Sequence, residues 1–337
     1  MTDKIYNSKI PITVITGFLG SGKTTLLNHI LNTNKKLNIG VVVNDFGDIN
    51  IDSKLVKSKT DKQLELTNGC ICCNLKTLDL QEAIDQFTTP GSEIDYIIIE
   101  ASGLSEPRDL ALTLRDTIGV KVRLDSIVTV IDAENIIKNA KANETATDQI
   151  LFSDFIIINK QDLVTKHKIS DIKKLIDSIN PKARIFTAKN CNIDIRYILD
   201  KDIGTLKQLD TKKHTDHKGH IHEQYVHYSW ETDKPLHPMK FQEFVNTKLD
   251  RNIYRAKGFV NFYKKGHLRK YIFQLVGSRA EISWDNWGDE TPKTQLVFIG
   301  NSIDKIHLSK DLSSCIDTEP DDELENGIEL RLPKKQS

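Results

Sequence analysis

The sequence predicts an α/β chain: a domain built on a mostly parallel sheet covered by helices, followed by a smaller α+β C-terminal domain. Two observations carry this. From residue 10 to about 186, short β-branched apolar runs alternate with turns and helical stretches, the pattern of parallel strands joined by helical crossovers. Beyond residue 225 the strands become longer, aromatic-rich and alternating, as in a sheet with two unlike faces.

The apolar runs fall at residues 12–16, 39–43, 96–99, 126–131, 155–158 and 184–186. Each is almost wholly apolar, as strands buried on both faces are. Helices are expected at 23–31, 75–87 and 170–178, the last stopped near Pro181. This gives a first domain over residues 1–200. Between 201 and 224 the apolar pattern lapses into Lys, Asp, Thr, Gly and His, which reads as a surface linker. The second domain spans 225–316, with strands expected at 257–263 and 271–276 and a helix at 239–249. Residues 317–337, acidic and then basic with little to bury, are expected to be a disordered tail.

The 337-residue chain balances 47 Lys+Arg against 47 Asp+Glu, so no global field points to nucleic acid. No apolar run is long enough to span a bilayer, and the opening residues lack the order of a signal peptide. A cytoplasmic protein with no membrane partner is expected. The five cysteines are odd in number, and three are packed together as Cys70, Cys72 and Cys73. In a reducing compartment such a cluster implies metal or redox chemistry rather than a disulfide framework. Cys191 and Cys315 stand alone and read as small buried apolar residues.

Residues Gly17, Phe18, Leu19, Gly20, Ser21, Gly22, Lys23 and Thr24 fit GxxxxGK[ST] between a predicted strand and a predicted helix. That context defines a P-loop, in which successive backbone N–H groups and a helix N-terminus converge on phosphate. The first domain therefore reads as a P-loop NTPase. Lys23 would reach the outer phosphates and the Thr24 hydroxyl would ligate Mg2+. The run 96–99 ends in Glu100, Ala101, Ser102 and Gly103, at a strand's carboxyl end where ligands of open α/β sheets gather. Glu100 would orient a magnesium-bound water, and the Gly103 amide would follow the γ-phosphate. After the strand 155–158 come Asn159, Lys160, Gln161 and Asp162, an NKxD string. Its carboxylate can accept from both guanine N1–H and the exocyclic amine, a donor pair that adenine lacks. GTP is thus expected over ATP. Leu104 stands where a Ras-type GTPase has its water-positioning glutamine, so slow intrinsic hydrolysis is expected.

Thiolates are soft ligands suited to zinc and copper(I), and Cys70 with Cys72 can face one ion across a tight turn. A single cluster lacks the second pair that structural zinc takes, so the site reads as open or completed from elsewhere. Asp45, in the segment 44–48, is a candidate completing group. A reactive thiol pair is the competing reading. His214, His217, His220 and His222 place four of the ten histidines in the linker, as weaker auxiliary ligands or as a solvated spacer.

Taken together, these residues resemble the CobW-like metallochaperone GTPases, the group that includes the zinc-regulated GTPase metalloprotein activators. The resemblance rests on 16–25, 44–48, the GCICC string at 69–73, 100–104 and 159–162, and on 255–258 and 295–300 in the second domain. It implies GTP-dependent delivery of a transition metal, zinc or cobalt, to a client metalloprotein. By position it assigns Gly17, Gly20, Ser21, Gly22, Lys23, Thr24, Thr25 and Gly103 to phosphate and magnesium. Glu100 then serves the magnesium side, Asn159, Lys160 and Asp162 the guanine, and Cys70, Cys72 and Cys73 the metal. Asp45 departs from the family's usual Glu. Two other functions compete with a GTP-timed switch: a zinc buffer with a regulatory nucleotide site, and a small-molecule P-loop kinase, against which the NKxD string counts.

Overall fold

The computed structural model describes residues 9–34, 37–44, 63–66, 80, 84–103, 122–200, 225–262 and 269–317. The chain divides into two compact units, Met1–Asp200 and Lys201–Ser337. Most of the helix expected at 75–87, the linker 201–224 and nearly all of the tail lie outside the described residues.

In the first unit the order is β1 (Ile10–Thr16), α1 (Lys23–Thr33), β2 (Ile39–Asn44), β3 (Gln63–Leu66), β4 (Tyr96–Glu100) and β5 (Val122–Asp132). Then follow α2 (Ile136–Ala142), α3 (Glu144–Leu151), β6 (Phe155–Asn159), α4 (Lys166–Ile179) and β7 (Arg184–Thr187). The seven strands lie in the order β3-β2-β4-β1-β5-β6-β7, and every pairing is parallel. The chain leaves β1 toward β2 and β3, returns through β4, and crosses to β5 on the other side. The carboxyl end of β1 therefore faces the crevice where the winding direction reverses, the place where such sheets bind ligands. Ile97, Ile98, Ile99, Ile156, Ile157 and Ile158 are 0% exposed, which is why these runs lack alternation. Each such side chain contributes about 1.5–3 kcal/mol on burial.

The structure adds elements that the apolar pattern did not reveal. Strand β3 is four residues long with a single neighbour. Helices α2 and α3 are rich in Asn, Lys and Thr and break at Asn143. Strand β5 starts four residues before the expected 126–131 because Arg123 and Asp125 read as loop residues. In the fold Arg123 pairs with both Asp125 and Asp200, and Asp125 accepts from the Tyr96 hydroxyl.

The second unit is a five-stranded antiparallel sheet in the order β11-β10-β9-β12-β8. Its strands are β8 (Tyr225–Thr232), β9 (Ile253–Val260), β10 (Arg269–Val276), β11 (Arg279–Asn286) and β12 (Thr294–Asn301). Two short helices complete it. Helix α5 (Pro238–Glu243) starts where His237 Nδ1 accepts from the Met239 and Lys240 N–H groups, with Pro238 preset for the first turn. It runs into a π-helical turn at Phe244–Lys248, so the helix expected at 239–249 is shorter and irregular at its end. Helix α6 (Lys305–Ser314) is capped by Asp304.

Phe241 is fully buried in this unit, its ring 5.2 Å from Phe273, 5.6 Å from Phe262 and 6.0 Å from Phe244. Replacing it leaves a cavity that three neighbouring rings cannot collapse into. Phe241→Ala is expected to lower the stability of the second unit by about 3–5 kcal/mol. All three tryptophans, at 230, 284 and 287, belong to this unit. Urea unfolding followed by tryptophan fluorescence therefore reads it alone, and an unchanged midpoint would refute the expectation.

Candidate nucleotide-binding site

The turn after β1 is a glycine-rich loop because two of its positions admit nothing else. Gly17 and Gly22 have φ of 137° and 112°, where L side chains are strained. A Cβ on Gly17 would stand 2.0 Å from the Val130 carbonyl oxygen, and one on Gly22 2.5 Å from Asn159 Nδ2. Gly22 is the N-cap of α1 and carries no side-chain cap, so the helix's first N–H groups are not claimed by a capping side chain. Lys23 is buried, with its ammonium 3.4 Å from the Phe18 carbonyl of the same loop. Thr16 Oγ1 and Ser21 Oγ are buried without a hydrogen-bond partner among the described residues. Such hydroxyls fit a polar group brought by a ligand. Thr25 is exposed.

Glu100, 2% exposed at the end of β4, accepts a hydrogen bond from Thr24 Oγ1 at 2.8 Å. A hydroxyl and a carboxylate are hard oxygen donors of the kind Mg2+ takes. The chain then continues the sheet through Ala101 N–H to the Ile15 carbonyl at 2.8 Å. At Gly103 the backbone lies against the loop: a Cβ there would meet the Leu19 N at 2.8 Å.

Asn159 ends β6, adjacent in the sheet to β5. Its Nδ2 donates to the Ser21 carbonyl at 3.0 Å, and its Oδ1 accepts from the Cys191 N–H at 2.9 Å. Lys160, at φ 58°, turns its ammonium to Asp132 at 2.9 Å. Burial works against the Asp132 charge, but bonds from Lys160, Asn135 and the Glu134 N–H outweigh it and hold the carboxyl below its ordinary value. Asp162 is exposed, with Lys189 Nζ 3.6 Å away.

Lys189 and Cys191 are residues the sequence reading did not connect with the site. They follow β7 as the NKxD string follows β6, and strand ends along this edge were the available signal. Asn190 and Cys191 both have φ of 52°, a conformation that costs free energy for non-glycine residues. Cys191 and Cys315 are buried, as expected for isolated cysteines. The Cys191 thiol also approaches the Gly22 carbonyl at 3.4 Å. The remaining sequence-predicted residues, Asp45, Cys70, Cys72, Cys73, Leu104, His214, His217, His220 and His222, lie outside the described residues. Among the described residues no group of three or more His, Cys, Asp or Glu could hold a metal ion, and no helix is long and apolar enough to cross a membrane.

A glycine-rich loop that opens a helix at the carboxyl ends of a doubly wound parallel sheet is the architecture of the P-loop GTPases, and the first unit is of that class. More particularly, the chain belongs to the CobW/HypB/UreG family. The family's nucleotide-binding domain matches residues 11–187, and the C-terminal domain of the cobalamin synthesis protein cobW matches residues 225–316. Zinc-regulated GTPase metalloprotein activator 1 of Dictyostelium discoideum is 29% identical over 92% of this chain and 80% of its own length. The protein of the same name from Saccharomyces cerevisiae is 30% identical over 89% of this chain and 74% of its own. The crystal structure of Zn(II)-bound YjiA GTPase from E. coli aligns with 92% of this chain and 100% of its own, at 25% identity and a TM-score of 0.43.

Burial raises the Cys191 thiol from 9.0 to about 12 and the Cys315 thiol from 9.0 to about 11. Both are protonated at neutral pH, and the thiolate is the nucleophile. Native protein treated with iodoacetamide near neutral pH should leave both cysteines unlabelled, and denatured protein should label both, read by peptide mass spectrometry. The same shifts leave stability unaffected below pH 9.0 and lower it progressively as pH rises toward about 12, because the unfolded chain ionises where the buried thiols do not. Native labelling of Cys191 would contradict this.

Proposed function

We propose that this chain is a GTP-hydrolysing metallochaperone that holds zinc, its cargo, at Cys70, Cys72 and Cys73 and passes it to a client metalloprotein in the cytoplasm. Cobalt suits the same ligands. One observation carries the coupling of the two activities. The GCICC string begins a few residues after β3 and precedes β4, whose last residue, Glu100, holds Thr24 of the phosphate loop. The thiolates thus lie on the stretch of chain that joins β3 to the strand holding the phosphate loop, so a change at the phosphates can reach them along the sheet. The names of the relatives, zinc-regulated GTPase metalloprotein activators, support the same reading.

In this reading Lys23 turns from the Phe18 carbonyl to the outer phosphates of GTP, and the amides of Gly20, Ser21 and Gly22 converge on them. Thr24 and Glu100 would hold Mg2+, which when bound neutralises charge on the phosphates. Gly103 follows the γ-phosphate side. Asn159 fixes the loop behind the base, Lys160 lies beside it, and Asp162 accepts from guanine. Asp45 would complete the thiolate site, and His214, His217, His220 and His222 would collect metal weakly.

Asp162→Asn should lower the preference for GTP over ATP by about 1.5–3 kcal/mol, roughly 10–150-fold, the worth of hydrogen bonds to a charged group. Competition binding measures it. Equal affinity of the parent for the two nucleotides would refute the assignment of the NKxD string.

Coupling between metal and nucleotide must be reciprocal in binding free energy, with a typical magnitude of about 1–3 kcal/mol. Zinc titrated against a chelating indicator is therefore expected to bind with different affinity in the presence of a non-hydrolysable GTP analogue, of GDP and of no nucleotide. Identical affinities in the three states would leave a zinc buffer with an independent nucleotide site.

A further inference from the structure

Gln149 is 1% exposed on α3 and belongs to none of the sequence motifs. Its Nε2 donates to the Gly103 carbonyl at 3.2 Å, across 46 residues of chain. Its own carbonyl accepts from Thr129 Oγ1 at 2.7 Å and from the Ser153 hydroxyl. Thr129 lies inside β5, which pairs with β1 at Thr16. The donor that grips Gly103 is thus itself fastened to the sheet beside the phosphate loop.

We propose that Gln149 is a positioning residue for GTP hydrolysis: it holds the Gly103 carbonyl so that this glycine meets the γ-phosphate side of the site in one orientation. The inference rests on the reading of Gly103 given above. A pinned carbonyl limits rotation about the Cα–C bond of Gly103, and so limits how this residue, whose own N–H belongs to the preceding peptide, can turn toward the phosphates. The neighbouring segment is already held at its start, by the Ala101 N–H on the Ile15 carbonyl and by Thr24 on Glu100. Gly103 itself lies too close to Leu19 for any side chain. Gln149 supplies the hold at the end of this stretch. Without it, Gly103 keeps its contact with Leu19 but its carbonyl loses a buried donor, and the orientation of this glycine is no longer set. Because GDP has no γ-phosphate, its binding does not draw on this orientation. A glutamine that merely packed α3 would affect stability without separating hydrolysis from GDP binding.

The test is Gln149→Met, which keeps length and removes the donor, measured in the full chain for single-turnover GTP hydrolysis and for affinity toward a fluorescent GDP. Hydrolysis is expected to fall about tenfold, the scale of one buried hydrogen bond left unmade, with GDP affinity unchanged. An unchanged rate in a variant of an active parent overturns this inference alone. A loss of rate matched by an equal loss of GDP affinity overturns it as well. A parent that binds GDP and never turns over GTP overturns both this inference and the reading of the site on which it rests. Should the methionine variant not fold, Gln149→Leu is judged by the same two measurements.

Discussion

The carboxamide of Asn159 joins three stretches of chain that the sequence keeps far apart. It donates to the Ser21 carbonyl of the phosphate loop and accepts from the Cys191 N–H after β7, and it does so at 3% exposure. A buried amide with both ends bonded is rigid, and removing one partner would leave a buried donor or acceptor unmet. The glycine-rich loop, the NKxD string and the loop after β7 are therefore held in one geometry. The positive φ of Asn190 and Cys191 is the local strain this arrangement tolerates, and strain of that kind persists only where surrounding contacts impose it. The fit between Gly22 and Asn159 Nδ2 makes the same point from the other side: a methyl group on the loop would push the carboxamide away.

Toward the amino ends of the central strands β4, β1 and β5 the same sheet is organised by buried charge. Tyr96 donates to Asp125, Thr13 shares hydrogen bonds with Tyr96 and Ser126, and Arg123 bridges Asp125 and Asp200. Isolated, each of these charges would be costly to bury; together each is paired. The network ties the last residue of the first unit, Asp200, to the start of β5. The second unit solves the same problem with Lys270, 1% exposed, whose ammonium stands 2.6 Å from Glu290 and 4.1 Å from the centre of the Phe259 ring. Paired with a carboxylate and lying over an aromatic face, that ammonium can be buried in the sheet.

The parallel sheet was legible because its strands are buried on both faces, which forces continuous apolar runs, and because the glycine-rich loop can only follow a strand and open a helix. Resemblance to the CobW-like family followed from the same short strings. What the pattern missed was polar. Strand β3 is an edge strand of four residues, α2 and α3 carry Asn, Lys and Thr, and the first residues of β5 are charged. These segments are held by partners distant in sequence, and no local window contains those partners.

The sequence by itself determined the class of the first unit, a P-loop GTPase, and the short strings that mark it: Lys23 and Thr24 after a glycine-rich turn, Glu100 at a strand end and Asp162 in the NKxD string. These are properties of residue type and short spacing, and short spacing survives in any fold that begins a helix after a strand. Only the tertiary structure decided the strand order β3-β2-β4-β1-β5-β6-β7, which brings the carboxyl ends of β1, β4 and β6 to one edge. It alone brought in Cys191 and Gln149, a residue read as inert and one not read at all, as partners of Asn159, Gly22 and Gly103. The reason is that a hydrogen bond between residues 46 or 169 positions apart is set by the packing of whole elements, and that packing is a property of the assembled sheet rather than of any segment of its sequence.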